Sequence, residues 1–427
     1  MPSFSNQPQT DQKETQQVPV LPVRIYHLAW ARIFESKATI TYVGMTIFST
    51  VYCIILEAMI AVAHTNASYD VRGSDIASGG GNSSVTSALG SDDQGDPYAF
   101  LLLNLQRLKD ENVFFALFHV FQLYLGMDAI IRQNVIQLMA HTANEFLSIV
   151  LALVQLGETL KWRSRVATVD DRFQLSTSRF WFGMALKYEI SLAVVMAALT
   201  GIFAYLCVKL LQEFGWNVYK RIGADITLQE RFRTAQLFLL NLKLDAFFHT
   251  VFCIFWLVIM TQENYMKKSQ AGLAWYVLHW LLTLGLVPAP FVARYGLMSE
   301  KPKVMMAYQT FQVLVAVDFI VILQQSASSW VFWVLAVCLA IFLSICTIIL
   351  AILVTRNFDK GLKPHFQHLF DADYRLKLNP RQERDDSWVI DDEASGPHPS
   401  ADTMDHRSPP PAYPWTDQGG KFVKRAR

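Results

Sequence analysis

Three observations predict an all-α polytopic transmembrane helix bundle of about eight spans with disordered termini. Of 427 residues, 52% are hydrophobic and only 17% are charged, whereas an ordinary soluble chain carries about 25% charged residues. The apolar residues gather into runs of about 20, the length a helix needs to cross a hydrocarbon core about 30 Å thick. Those runs are unbroken, unlike the alternating strands of a barrel, and only a helix satisfies its backbone groups within one such segment. The net charge of +1 excludes a strongly basic nucleic-acid binder. The partner this composition implies is the lipid bilayer, with no nucleic acid.

Residues 1–37 are a polar tail with no apolar core before a small-residue cleavage site, so no cleavable signal is expected. The first transmembrane helix, 38–63, then serves as an uncleaved anchor. Residues 64–110 are rich in Ser, Gly and Asp and read as a flexible lumenal loop. Both N-x-S/T sequons fall there, at Asn66 and Asn82. They are candidate glycosylation sites, and Asn82 is the better one because Asn66 lies almost at the membrane.

The core, 111–355, holds about seven further spans, at 112–131, 134–156, 183–208, 235–260, 271–292, 304–323 and 329–354. The second and third spans are either a hairpin turning at Arg132-Gln133-Asn134 or one long kinked helix. Gln324-Gln325-Ser326 is expected to be the turn between the last two. Residues 356–427 return to polar composition. Their early part carries Leu362, Phe366, Phe370 and Tyr374 at four-residue spacing, the stripe of a short helix lying on the membrane face.

Basic residues set the orientation. Arg24, Arg32 and Lys37 precede the first span, Lys209, Lys220 and Arg221 follow the fourth, and Arg356, Lys360 and Lys363 follow the last. With eight spans, all of these face the cytosol together with both termini, although the basic stretch Lys161–Arg179 falls on the opposite side.

Ionisable groups inside spans are costly and therefore functional candidates. Glu57 lies in the first span, His141 and Glu145 one helical turn apart in the third, Asp245 and His249 on one face of the fifth beside Lys243, and Asp318 in the seventh. Either they line the path of an ion- or proton-coupled transporter or channel, with Glu145, Asp245 and Asp318 foremost, or they are hydrogen bonds that set helix packing. Asp128 and Arg132, four apart, are expected to neutralise each other. Lys187 and Glu189 are expected at the interface. All five cysteines (Cys53, Cys207, Cys253, Cys338 and Cys346) lie inside spans and read as small packing residues. Metalloprotease, nucleophile-elbow and phosphate-loop signatures are missing, so no enzyme, cofactor or metal centre is expected.

The sharpest short motif is Pro410-Pro411-Ala412-Tyr413, a PPxY element. Its polyproline II backbone presents the prolines and the tyrosine ring to the aromatic groove of a WW domain, carried by a ubiquitin ligase or adaptor.

After the fourth span the chain reads Gly215-Trp216-Asn217-Val218-Tyr219-Lys220-Arg221-Ile222-Gly223-Ala224-Asp225, followed in the fifth by Leu242-Lys243-Leu244-Asp245. This resembles a fungal family of uncharacterised Golgi apparatus membrane proteins, as do Arg132 to Leu138 and Arg356 to Pro364. The chain departs from the aromatic run expected after Asp245 at Ala246 and His249. The resemblance implies a multi-pass Golgi membrane protein, and leaves its activity open. Physically, Trp216 and Tyr219 suit the interface, and Lys220 and Arg221 suit anionic lipid, so the loop is expected to be an interfacial anchor. A structural, sorting or adaptor role in the secretory pathway is the function expected first, and transport is the alternative.

Overall fold

The computed structural model describes residues 30–77, 97–173, 179–222, 226–262, 270–326 and 330–358. Regular structure among them is helical, in the order α1 (Lys37–Ala77), α2 (Pro97–Arg132), α3 (Val135–Phe173), α4 (Phe180–Ile222), α5 (Ile226–Gln262), α6 (Gln270–Leu286), α7 (Ala289–Met298), α8 (Pro302–Ser326) and α9 (Val331–Thr355). Seven of these helices are long and apolar enough to cross a membrane, and α6 with α7 passes the same test as a pair bent by 46°. The all-α polytopic bundle is therefore what the chain forms. The expected sixth span, 271–292, is broken where Pro288 and Pro290 interrupt the helix, because proline lacks an N–H and clashes with the preceding turn.

The second and third spans are a hairpin. Gln155 donates to Asn112, Gln122 donates to Ser148, and Gln137 reaches the carbonyl of Leu125. These pairs close in step on the turn, so α2 and α3 run antiparallel. The turn itself has a local cause. Asn134 N–H reaches Ala129 O at 3.0 Å and Gln133 N–H reaches Ile130 O at 3.1 Å, a Schellman cap with Gln133 left-handed at φ 50°. Asn134 then caps α3, its Oδ1 accepting the Ile136 N–H at 3.0 Å.

Helices α1–α4 pack as a four-helix bundle, and α5, α8 and α9, with α6 and α7 alongside, form the second half. Phe114, Phe118 and Phe121 of α2 fall on one face by their spacing. They meet Phe247, Phe248 and Phe252 of α5 and Phe332 of α9, so an aromatic seam joins the halves. Outward-facing Val51, Ile55, Phe146, Val194, Phe342 and Ile349 are exposed, the apolar belt that lipid covers.

The four helices of the bundle run well past the bilayer thickness. The expected flexible loop is helical at both its ends, since α1 continues to Ala77 and α2 begins at Pro97. Ala67, Val71, Leu101, Leu105, Trp162 and Phe182 bury against one another there. Composition averaged over 64–110 hid that inward stripe beneath Ser, Gly and Asp. For the same reason the basic stretch from Lys161 is helix as far as Phe173, α8 runs through Gln324, Gln325 and Ser326, and α4 continues as helix through Trp216, Tyr219, Lys220 and Arg221. The side chains of those last four lie outside the described residues. So do Asn82, the stripe from Leu362 and the Pro410, Pro411, Tyr413 element.

Candidate functional site

Glu57 and His64 are seven residues apart on α1, and so share the face that turns into the four-helix bundle. Around them α2 supplies Asn112, α3 supplies Gln155 and Thr159, and α4 supplies Glu189, each buried. Hydrogen bonds fix the direction of the chain between them. Gln155 Nε2 donates to Asn112 Oδ1 at 2.6 Å, so the Asn112 amide nitrogen faces His64 Nδ1, 3.2 Å away. That leaves the His64 Nε2 proton for Glu189 Oε1 at 3.2 Å. Thr159 donates to the same oxygen at 2.7 Å. The relay therefore ends on the Glu189 carboxylate.

Glu57 stands next to this relay, with Glu189 as a like charge and Gln155 as a weak hydrogen-bonding neighbour, and neither of its oxygens has a partner within 3.5 Å. Its side chain is 1% exposed. Glu189 Oε2 and Gln155 Oε1 also lack partners. A carboxylate left in this state inside a bundle is costly, and binding a proton or a cation lowers the cost. The neighbouring carboxylates differ. Glu158 Oε1 accepts the Val331 N–H at the start of α9 and Oε2 accepts the Trp162 indole, while Glu111 accepts the Trp330 indole. Those acids hold the amino end of α9, whose dipole favours negative charge.

The other intramembrane candidates fall into separate clusters. Tyr42 and His141 Nδ1 are 2.7 Å apart, with Glu145 3.7 Å from the other ring nitrogen. Gly126 allows this approach, since a Cβ there would meet His141 Nε2 at 3.0 Å. On α5, Asp245 Oδ2 accepts from Thr347 at 2.5 Å and Gln312 at 3.1 Å, and His249 faces Ser344 at 3.2 Å. Asp318 meets His279 Nδ1 at 2.8 Å, and His279 Nε2 donates to the Cys253 carbonyl at 3.0 Å. Glu145, Asp245 and Asp318, expected along one path, are thus not brought together.

The Cys253 thiol, His279 and Asp318 place donor atoms within 4.8 Å of one another, the only such metal-type group among the described residues. Both ring nitrogens of His279 are already occupied, so a metal there would have to displace the Asp318 bond.

The sequence missed His64, Gln155, Asn112 and His279 as site residues. It also placed Glu189 at the interface, whereas Glu189 is 1% exposed and only Lys187 of that pair faces outward. The helical spacing of Glu57 to His64 and of Gln155 to Thr159 carried a usable signal. Asp128 and Arg132 do pair, at 2.7 Å. Asn66 is half-buried inside α1, a poor place for an acceptor that normally needs an accessible loop.

The chain is similar to a Golgi membrane protein. Over 159 residues it is 21% identical to a UPF0658 Golgi apparatus membrane protein of Schizosaccharomyces pombe. The match covers 34% of this chain and 45% of that relative, so the chain aligns with less than half of the relative's length. No family model matches the chain and no solved structure matches it.

Proposed function

We propose that the chain is a multi-pass protein of the Golgi membrane that moves protons through the α1–α4 bundle, with Glu57 as the group that takes up and releases them. The carrying observation is the buried Glu57 carboxyl, short of close hydrogen-bond partners, beside an ordered His64–Glu189 relay. An intramembrane acid with no close donor on either oxygen has its simplest partner in a proton, and membrane pumps and transporters use Asp, Glu and His chains in this way. The Golgi address rests on the relative's printed description, and the placement of both termini in the cytosol rests on the basic residues of the sequence.

The test is proton flux in proteoliposomes holding the full chain, followed with an entrapped pH dye under an imposed gradient. Wild type is expected to dissipate the gradient well above empty vesicles, and Glu57→Gln to fall back to their level while keeping its thermal midpoint. Equal flux in wild type and Glu57→Gln would remove the reading.

A second reading, a structural, sorting or adaptor role, is favoured by the Pro410-Pro411-Ala412-Tyr413 element. In it the tail recruits a WW-domain ubiquitin ligase or adaptor, and Tyr413→Ala is expected to abolish capture by an isolated WW domain and to lengthen the protein's half-life in cells. Unchanged turnover would count against it. Neither reading assigns the chain a catalytic step.

A further inference from the structure

Cys253 of α5, His279 of α6 and Asp318 of α8 meet in the second half of the protein, each 2% exposed or less. The thiol, a ring nitrogen and a carboxylate oxygen lie within 4.8 Å of one another. Trp256, Leu282 and Val315 stand three residues from Cys253, His279 and Asp318 in turn, and all are buried in the same core cluster. The group therefore has an apolar shell that keeps water away.

Hydrogen bonding fixes the state of the imidazole. The Cys253 carbonyl can only accept, so His279 Nε2, 3.0 Å away, carries a proton. A neutral His279 then has its lone pair on Nδ1, which faces Asp318 Oδ2 at 2.8 Å. One proton must lie between those two atoms, on the ring or on the carboxyl. Histidines that ligate metals are held in this way, with the far N–H on a backbone carbonyl and the near nitrogen left to coordinate. A second observation concerns the other carboxyl oxygen. Asp318 Oδ1 is buried and has no hydrogen-bond partner within 3.5 Å, and a cation held by the carboxylate compensates both oxygens.

We propose that Cys253, His279 and Asp318 bind one zinc ion, which takes the place of the shared proton. Charge selects a dication. Binding releases two protons, the one between His279 and Asp318 and the thiol proton of Cys253, so the group is neutral before and after. A monovalent ion would leave a net negative charge, which is costly inside a membrane. Ligand type selects zinc, since thiolate and imidazole suit it, whereas calcium takes about six to eight oxygens. The geometry is close to what zinc needs. Tetrahedral bonds of about 2.0–2.3 Å put nitrogen and oxygen about 3.3 Å apart and sulfur about 3.6 Å from either. The His279–Asp318 pair thus opens by about half an ångström and the thiol closes in. The consequence is mechanical. Helix α6 buries His279, Leu282, Thr283 and Leu286 and turns Val277, Leu281 and Leu284 outward, so a bond through His279 fastens the bent α6–α7 pair to α5 and α8.

The experiment measures zinc in the full chain, purified without added metal, by plasma mass spectrometry, with native mass spectrometry for stoichiometry. One zinc per chain is expected to survive a chelator wash, because the ligands are closed from water. Cys253→Ser, which keeps the shape, His279→Gln and Asp318→Asn are each expected to retain less than about a tenth of it, since even groups behind the ligands change affinity about 10–100-fold. Protein produced in cobalt-enriched medium is expected to show sulfur-to-cobalt charge-transfer absorption. That band is read on the wild type, so it decides the matter even where a variant fails to fold. Wild type without zinc, bound cobalt without the sulfur band, or zinc content that survives all three substitutions overturns the proposal.

Discussion

The α1–α4 bundle and the seam between α2, α5 and α9 lie in the same lipid and are filled by opposite chemistry. The bundle interior holds Glu57, His64, His141, Glu145 and Glu189, all nearly inaccessible, whereas the seam holds Phe114, Phe118, Phe248, Phe252, Phe332 and Trp333. Lipid tails are as apolar as leucine, so burial from lipid supplies little drive and helices associate through packing and interhelical hydrogen bonds. The seam uses the first, with Phe121 and Phe247 stacked at 4.3 Å between centroids. The bundle uses the second, and leaves Glu57 unsatisfied. The seam leaves a neutral group, the Trp333 indole, without a partner, whereas in the bundle it is an acid, and the neighbouring Glu158 is satisfied. That difference is the basis of the proposed division, stability in the seam and proton movement in the bundle.

The largest effect expected from this contrast is in the seam. Phe118 is fully buried and touches Phe114, Phe247 and Phe248. Phe118→Ala opens a cavity and is expected to destabilise by about 3–5 kcal/mol, read as a lower thermal midpoint in nanodiscs, while proton flux per folded molecule stays unchanged. A flux loss as large as that of Glu57→Gln would dissolve the division between the regions.

The opposite sign is expected in the bundle. Glu57→Leu removes a buried carboxyl without close hydrogen-bond partners and fills the space with a side chain of similar reach. The gain is about 1–3 kcal/mol, the cost of leaving such a group unsatisfied, together with loss of flux. Functional sites commonly trade stability in this direction. If Glu57→Leu destabilises instead, Glu57 has a packing partner and the proton reading loses its basis.

The span pattern was legible because length and hydropathy decide it, and the α2–α3 hairpin was legible as one of two options because the polar Arg132-Gln133-Asn134 interrupts the apolar run. Hydropathy could not show that Pro288 and Pro290 split one span, because the apolar run continues across them. Nor could it show how far α1 extends, since the inward stripe Ala67 and Val71 is too sparse to register in a window average. The polar candidates were found residue by residue, but their grouping was not. Which face of α3 meets α1 depends on helix rotation, and one sequence does not carry that. So Glu57 was named without His64 or Glu189, and Asp318 without His279.

The smallest effect compares two turns, one in each half. Gln133 after α2 and Glu300 after α7 both take the left-handed conformation, at φ 50° and 47°, and both close Schellman caps, with Lys301 N–H on Gly296 O at 3.0 Å in the second. A side chain in that conformation costs about 1 kcal/mol, which glycine avoids at some cost in unfolded-state entropy. Glu300→Gly is therefore expected to gain about 0.5 kcal/mol. Gln133→Gly is expected to lose about 0.5 kcal/mol, because the Gln133 amide is 5% exposed and donates to Glu35 at 2.7 Å, a bond whose loss of about 1 kcal/mol exceeds the net gain from glycine. Thermal midpoints of the two variants decide this. Equal gains would mean that the Gln133–Glu35 bond contributes nothing, and that the turn of the four-helix bundle is held by its backbone cap alone.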